Sequence, residues 1–125
     1  VKTATIREDV LRDPRYPVHR IADRLLPYLQ VLVEQFHPEQ VILFGSYAYG
    51  DPNEHSDVDL LVIGECSETP LKRRIRIRAA WWKMPRKESL LPFDLLVTTP
   101  SDHRERQQAS AGFYNTIAEQ GLRLA

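Results

Sequence analysis

The chain has 125 residues, 42% of them hydrophobic, and a formal net charge of +0. That length supports one core rather than two, and the charge balance excludes a global field that would draw the chain to nucleic acid or to an anionic membrane surface. The one cysteine, Cys66, excludes an internal disulfide and suits a buried structural thiol in a reducing cytoplasm, while no signal peptide and no bilayer-length apolar run are read.

Residues 1–18 are polar and mixed, with Pro14 and Pro17, and read as an arm or irregular lead-in to a single domain over 19–125. From Arg20 to Phe36, the positions Ile21, Leu25, Tyr28, Leu29, Leu32, Val33 and Phe36 share one helical face. Pro27 inside that pattern predicts a kink or a late start, and Pro38 closes the helix. Val41–Phe44 is an apolar strand that runs straight into Gly45-Ser46. Tyr47–Tyr49 suit a short helical turn, with Gly50 ending it in a left-handed conformation. A second strand over 57–64 opens on Asp57-Val58-Asp59 and continues as Leu60–Ile63. A polar loop over 65–70 and a helix over about 71–84 come next. Asp94 opens a strand over 93–98. Thr99-Pro100 reads as an N-cap followed by Pro at the first helical position. The last helix then runs to about Gln120 and stops at Gly121, and Leu122–Leu124 add a short edge strand.

The chemistry concentrates where the first two strands meet. Side chains alternate along a strand, so Asp57 and Asp59 point to one face with Cα atoms about 6.5–7 Å apart. Carboxylates roughly 5 Å apart repel by about 3 kcal/mol at an effective dielectric near 20. A hard divalent cation compensates that repulsion, and Mg²⁺ takes one or two carboxylates together with substrate phosphates. Gly45 lacks a Cβ, so a phosphate could approach its backbone, and Ser46 offers a hydroxyl and an N–H. Free amides of a following turn also favour an anion. Taken alone, the two acids are explained by a solvated strand end, and Gly-Ser by an ordinary turn. Together, ten residues apart and each joined to an apolar strand, they describe a phosphate-binding turn facing a metal-binding carboxylate pair.

Direction constrains the topology. The Gly-Ser corner lies at the C-terminal end of strand 41–44 and at the N-terminal end of strand 57–64, so these strands should run antiparallel if adjacent. Asp94 heads its own strand and joins Asp57 and Asp59 only if strands 57–64 and 93–98 run parallel, with a helical crossover between them.

This pattern, Gly-Ser followed after ten residues by Asp-x-Asp, resembles the signature of the minimal nucleotidyltransferases (MNT) of the DNA polymerase β-like superfamily, over roughly residues 20–121. The resemblance implies an α/β (α+β) palm fold, a mixed β-sheet with helices packed against it. It implies a third acid at the start of a later strand, here Asp94. It assigns Gly45, Ser46 and Tyr47 to the nucleotide, and Asp57, Asp59 and Asp94 to catalysis and to two Mg²⁺ ions, with ATP as substrate. Many members carry Arg before the second Gly of the turn, where this chain has Tyr49. Superfamily members that grip small or nucleic-acid acceptors add further domains, so a partner protein is the expected acceptor. MNT proteins commonly pair with HEPN-domain toxins, and the resemblance implies an antitoxin that transfers AMP to a tyrosine of such a partner. The alternatives are an MNT-like module that occludes its partner without catalysis, and transfer to a small molecule such as an antibiotic.

Other features have plainer readings. Lys72, Arg73, Arg74, Arg76, Arg78, Lys83, Arg86 and Lys87 form a basic stretch, read as a solvated helix face with triphosphate, RNA or an acidic partner as the alternative contact. Of Trp81 and Trp82, at least one belongs to the core. The four histidines show no zinc spacing, and His55 reads as a loop residue. Tyr47 and Tyr49 either touch the nucleotide or pack on the sheet.

Overall fold

The structure is a computed structural model that describes residues 4–85, 91–109 and 112–125. Its frame is a four-stranded mixed sheet in the order β3-β2-β1-β4, built from β1 (Gln40–Phe44), β2 (Val58–Ile63), β3 (Phe93–Thr98) and β4 (Leu122–Arg123). β1 pairs antiparallel with β2 and with β4, and β2 pairs parallel with β3. The directions therefore fall as the placement of the acids demanded. The crossover that a parallel pair requires is α4 (Pro70–Trp82), which starts on Thr69, whose side chain accepts from the Lys72 amide, and on Pro70 at the first helical position.

Two cores of unequal size cover the sheet. On one face, Val41, Leu43, Leu60, Val62 and Leu95 pack against the helical stripe Ala22, Leu25, Leu29, Leu32 and Phe36 and against Ile77 and Trp81 of α4. Trp81 also donates its indole N–H to the Tyr28 carbonyl at 3.1 Å and stacks with Tyr28 and Phe93. Trp82 is exposed. On the other face, Ile42, Phe44, Leu61 and Ile63 cluster with Tyr114 and Ile117 of α6 (Gly112–Gln120), with Leu96 at the margin.

The stripe is carried by α2 (Ala22–Val31), entered through a 3-10 turn over Pro17–Ile21 and continued by a π turn over Leu32–Phe36. A late start at Pro27 is excluded, because α2 begins at Ala22. The amide that Pro27 lacks would have bonded the Asp23 carbonyl, so the helix forgoes one bond and continues. His37 ends the π turn at φ 49. Arg73 reaches over from α4 and donates to the Phe36 carbonyl at 2.6 Å and to Cys66 Sγ at 3.4 Å. Arg73 is thus a buried latch rather than part of a solvated face, and Cys66 is half-buried rather than a core thiol.

Three expectations are corrected. Residues 4–18 are not a polar lead-in, since α1 (Glu8–Leu11) forms there and Ala4, Leu11 and Val18 are buried in the larger core. Their backbone is tied in as well, with the Ala4 amide on the Pro38 carbonyl and the Arg7 amide on that of Leu124. The C-terminal helix is two helices, α5 (Pro100–Gln108) and α6. The α5 sequence is almost wholly polar and buries His103, whereas α6 has an apolar face with Tyr114 and Ile117. Gly50 leaves its turn extended, at φ −113 and ψ −153, instead of left-handed. The Thr99 cap forms as expected, its Oγ1 accepting from the Asp102 amide.

Leu11→Ala tests the first correction. With Leu11 fully buried, the substitution should cost about 2–5 kcal/mol of unfolding free energy, read as a lower urea midpoint at unchanged slope. A change below about 0.5 kcal/mol would mean that the segment is a loose arm.

Candidate active site

The site is assembled by register. Phe44 of β1 lies opposite Asp59 of β2, and Asp59 lies beside Asp94 of β3. Alternation along β2 places Asp57 and Asp59 on the same side as Leu61 and Ile63, which contact α6. The acids therefore occupy the uncovered end of the thinly covered face. Asp57 sits just before β2 and is exposed, as is Asp94, while Asp59 is half-buried. The loop before Asp57 is held by local bonds. The His55 amide donates to Asn53 Oδ1 at 2.8 Å, and the Asn53 amide donates to Ser56 Oγ at 2.8 Å. These side-chain-to-backbone turns fix the approach to the strand. His55 is exposed in that loop.

Gly45 ends β1 at φ 75, a left-handed-side conformation that glycine alone adopts readily. A Cβ on Gly45 would run into the Asp59 carboxylate. Glycine is therefore required here by an acid as well as by any phosphate. The chain then turns into α3 (Ser46–Tyr49), in which Ala48 and Tyr49 donate to the Gly45 carbonyl and Gly50 donates to that of Ser46. The amides of Ser46 and Tyr47 precede these first intrahelical donors, where a helical turn leaves its N–H groups for other acceptors. Gly50 is required by crowding, since a Cβ there would stand 2.8 Å from Ser46 Cα. The Tyr47 ring is buried in the larger core, which leaves its backbone amide as the group it offers to the turn. Tyr49 is 42% exposed.

Crowding of like charge shows in the titration of Asp59. Its carboxyl is pushed up to about 6, by burial first, then by Asp94, then by Asp57. Hard oxygen donors that repel one another suit a hard divalent cation, which removes that repulsion. Among the described residues, no three His, Cys, Asp or Glu side chains converge into a finished cage. Mg²⁺ does not need one, because it keeps waters and shares its shell with substrate phosphates.

The basic stretch does not converge on this corner. Arg76 pairs with Glu68 at 2.9 Å, and Arg78 donates to the Phe93 carbonyl at 3.0 Å. Arg86 and Lys87 lie outside the described residues. What the sequence did not reveal is the contact between Gly45 and Asp59, although a glycine between an apolar strand and a helical turn was a hint of close approach.

The raised Asp59 value gives a stability prediction. Between about pH 4 and 6 the folded state holds this proton more tightly than the unfolded state, so this group's contribution falls as pH rises and is at its most unfavourable above about 6. Asp59→Asn should therefore raise the melting temperature of the metal-free protein near pH 7.5, with the gain vanishing near pH 3.5. Thermal melts in chelator at both pH values read the difference, and an equal shift at both would refute the charge crowding.

Residues 27–93, more than half of the chain, match the family described as nucleotidyltransferase domain. The match holds Gly45, Ser46, Asp57 and Asp59 and ends one residue before Asp94. Two proteins of Methanocaldococcus jannaschii, each named "Putative protein adenylyltransferase", are similar over shorter stretches. One is 56% identical over 27 residues, 22% of this chain and 27% of that protein. The other is 38% identical over 53 residues, 42% of this chain and 52% of that protein. The chain thus spans about a quarter to a half of the length of these curated relatives. A crystal structure from Sulfolobus solfataricus, described as "a putative nucleotidyltransferase", aligns over 81% of this chain and 79% of its own at 19% identity and a TM-score of 0.49. By the extent of the family match, this chain belongs to the nucleotidyltransferase domain family.

Proposed function

We propose that this nucleotidyltransferase moves AMP from ATP, with Mg²⁺, onto a hydroxyl of a partner protein. The observation that carries the reading is the meeting, at one strand end, of Gly45, Asp59 and Asp94, with the Asp59 carboxyl pushed up to about 6 by burial first and by the neighbouring acids after it. An arrangement this unfavourable without a cation is expected where a cation-bound phosphate chain belongs.

Asp57 and Asp59 would hold the Mg²⁺ ions, with Asp94 sharing one of them. Bound there, Mg²⁺ would supply charge neutralisation at the phosphates and at the leaving group. Ser46 and the first amides of α3 would hold the β- and γ-phosphates. The acceptor oxygen attacks the α-phosphorus, a new O–P bond forms, and the bond to the bridging oxygen breaks. Pyrophosphate leaves with that electron pair. The hydroxyl proton passes to Asp94, which stands exposed at the head of β3.

The acceptor we assign is a tyrosine of a HEPN-type toxin, which would make this chain its antitoxin. Support comes from the names of the two archaeal relatives, which specify protein adenylyltransfer, and from the pairing habit of MNT proteins.

Intact mass spectrometry of the genomic neighbour, co-expressed with this chain, tests the reading. Adenylate-sized additions are expected on the neighbour, and none with the Asp57→Asn, Asp59→Asn double variant. Additions that persist with that variant would remove the two acids from catalysis. An unmodified neighbour that still co-purifies would identify an occluding module instead.

A further inference from the structure

β3 is an edge strand, and its outer side carries a groove. The only strand paired with it among the described residues is β2. Val58 donates to the Pro92 carbonyl and Gly64 to the Thr98 carbonyl, so the even-numbered backbone groups face inward to β2. Alternation turns the N–H and C=O of Phe93, Leu95 and Val97 outward. The outward carbonyl of Phe93 accepts from Arg78, which confirms the phase and closes that end of the edge. The backbone N–H and C=O groups of Leu95 and Val97 are left facing away from β2.

Over this stretch, α4 stands on one side and α5 and α6 on the other. Between them runs a groove of about 280 Å³, lined in part by Leu71, Arg74, Leu96, Val97, Arg106 and Tyr114. The walls mix apolar and polar groups, and one guanidinium enters from each side. Arg106 lies over the Tyr114 ring at 5.4 Å. Among the described residues, neither Arg74 nor Arg106 has a carboxylate within salt-bridge distance. The outer flank of α4 continues the apolar surface with Leu71 and Ile75, each 57% exposed.

We propose that this edge docks an extended segment of a partner protein that carries two successive acidic residues, which alternation sends to opposite faces of the strand, between apolar ones. Its backbone would pair with Leu95 and Val97 as a short fifth strand. Its carboxylates would meet Arg74 and Arg106 in the bidentate geometry that guanidinium favours, and its apolar side chains would lie against Leu71 and Leu96. A second copy of this chain fits poorly, because twofold pairing of β3 with β3 would bring both arginines of each copy to one interface. The site is independent of whether transfer is catalysed. It begins one residue beyond Asp94, so a docked segment would also lie next to the candidate acids.

The test uses the whole protein and a capped peptide of about six residues with two adjacent glutamates between valines, a length suited to one short strand. Amide shifts on the labelled protein should concentrate at Leu95–Thr98 and at the facing turns of α4 and α5. Arg74→Glu with Arg106→Glu should weaken binding by about tenfold or more, and Arg74→Gln with Arg106→Gln should fall between. A lysine-valine peptide should not bind. Overturning results would be no binding of the acidic peptide, equal binding of the lysine peptide, affinity unchanged in folded charge variants, or shifts that appear only on self-association. In any of these cases the two arginines serve solely to guard an exposed edge.

Discussion

Pairing β2 and β3 in parallel, with Asp59 beside Asp94, is the constraint from which most of the molecule follows. Parallel neighbours cannot be joined by a tight turn, so a crossover helix must leave the far end of β2 and return to the near end of β3. α4 is that helix, and its buried side supplies Ile77 and Trp81 to the larger core. The same pairing sets carboxylates side by side at the ladder's start. Antiparallel pairing would have sent Asp94 to the opposite end of the sheet. The result is a local cost, visible in the raised Asp59 carboxyl, that the rest of the fold must outweigh. Sites that hold strained or like-charged groups are where a sequence departs from what stability alone would select.

The distribution of the core shows how that cost is met. The face away from the acids carries α2 and α4 and most of the fully buried leucines. The face with the acids carries a small cluster around Tyr114 and Ile117. At roughly 1.5–3 kcal/mol for each fully buried large aliphatic side chain, the thick face carries the stability. The thin face is left open toward Gly45, Asp57, Asp59 and Asp94. The N-terminal segment belongs to this division, because Leu11 and Val18 add to the thick side.

Legibility in the sequence followed the strength of local signals. The apolar runs at 41–44 and 60–63 fixed two strands, and the position of each acid relative to its strand was enough to give both strand directions. Thr99-Pro100 named its own cap. The N-terminal burial escaped because Val10-Leu11 and Val18 are short apolar islands among charges and prolines, with no period to detect. The backbone of Gly50 escaped for another reason. A left-handed exit and a crowded extended exit both require glycine, and only the neighbouring Ser46 backbone distinguishes them. Tyr47 was undecidable from sequence, since the side to which a short turn directs an aromatic ring depends on the helices around it. The break between α5 and α6 had a signal in Gly112 and in the nearly apolar-free run before it, outweighed by the N-cap upstream and the glycine stop downstream.

The basic stretch of α4 shows why charge counted along a sequence misleads. Its arginines diverge in space and in role. Arg73 is buried on the Phe36 carbonyl, Arg76 is taken by Glu68, and Arg78 closes one backbone group of β3. A run that reads as an anion-binding patch is thus largely spent on holding a crossover helix to the sheet it spans. Among the described residues of the stretch, Arg74 is the one that lines the β3 groove, where Arg106 from α5 meets it from the other side. The same strand then presents Asp94 on its face and the amides of Leu95 and Val97 at its edge. A segment held at that edge would be delivered to the carboxylates by the strand itself, with no additional domain to position it.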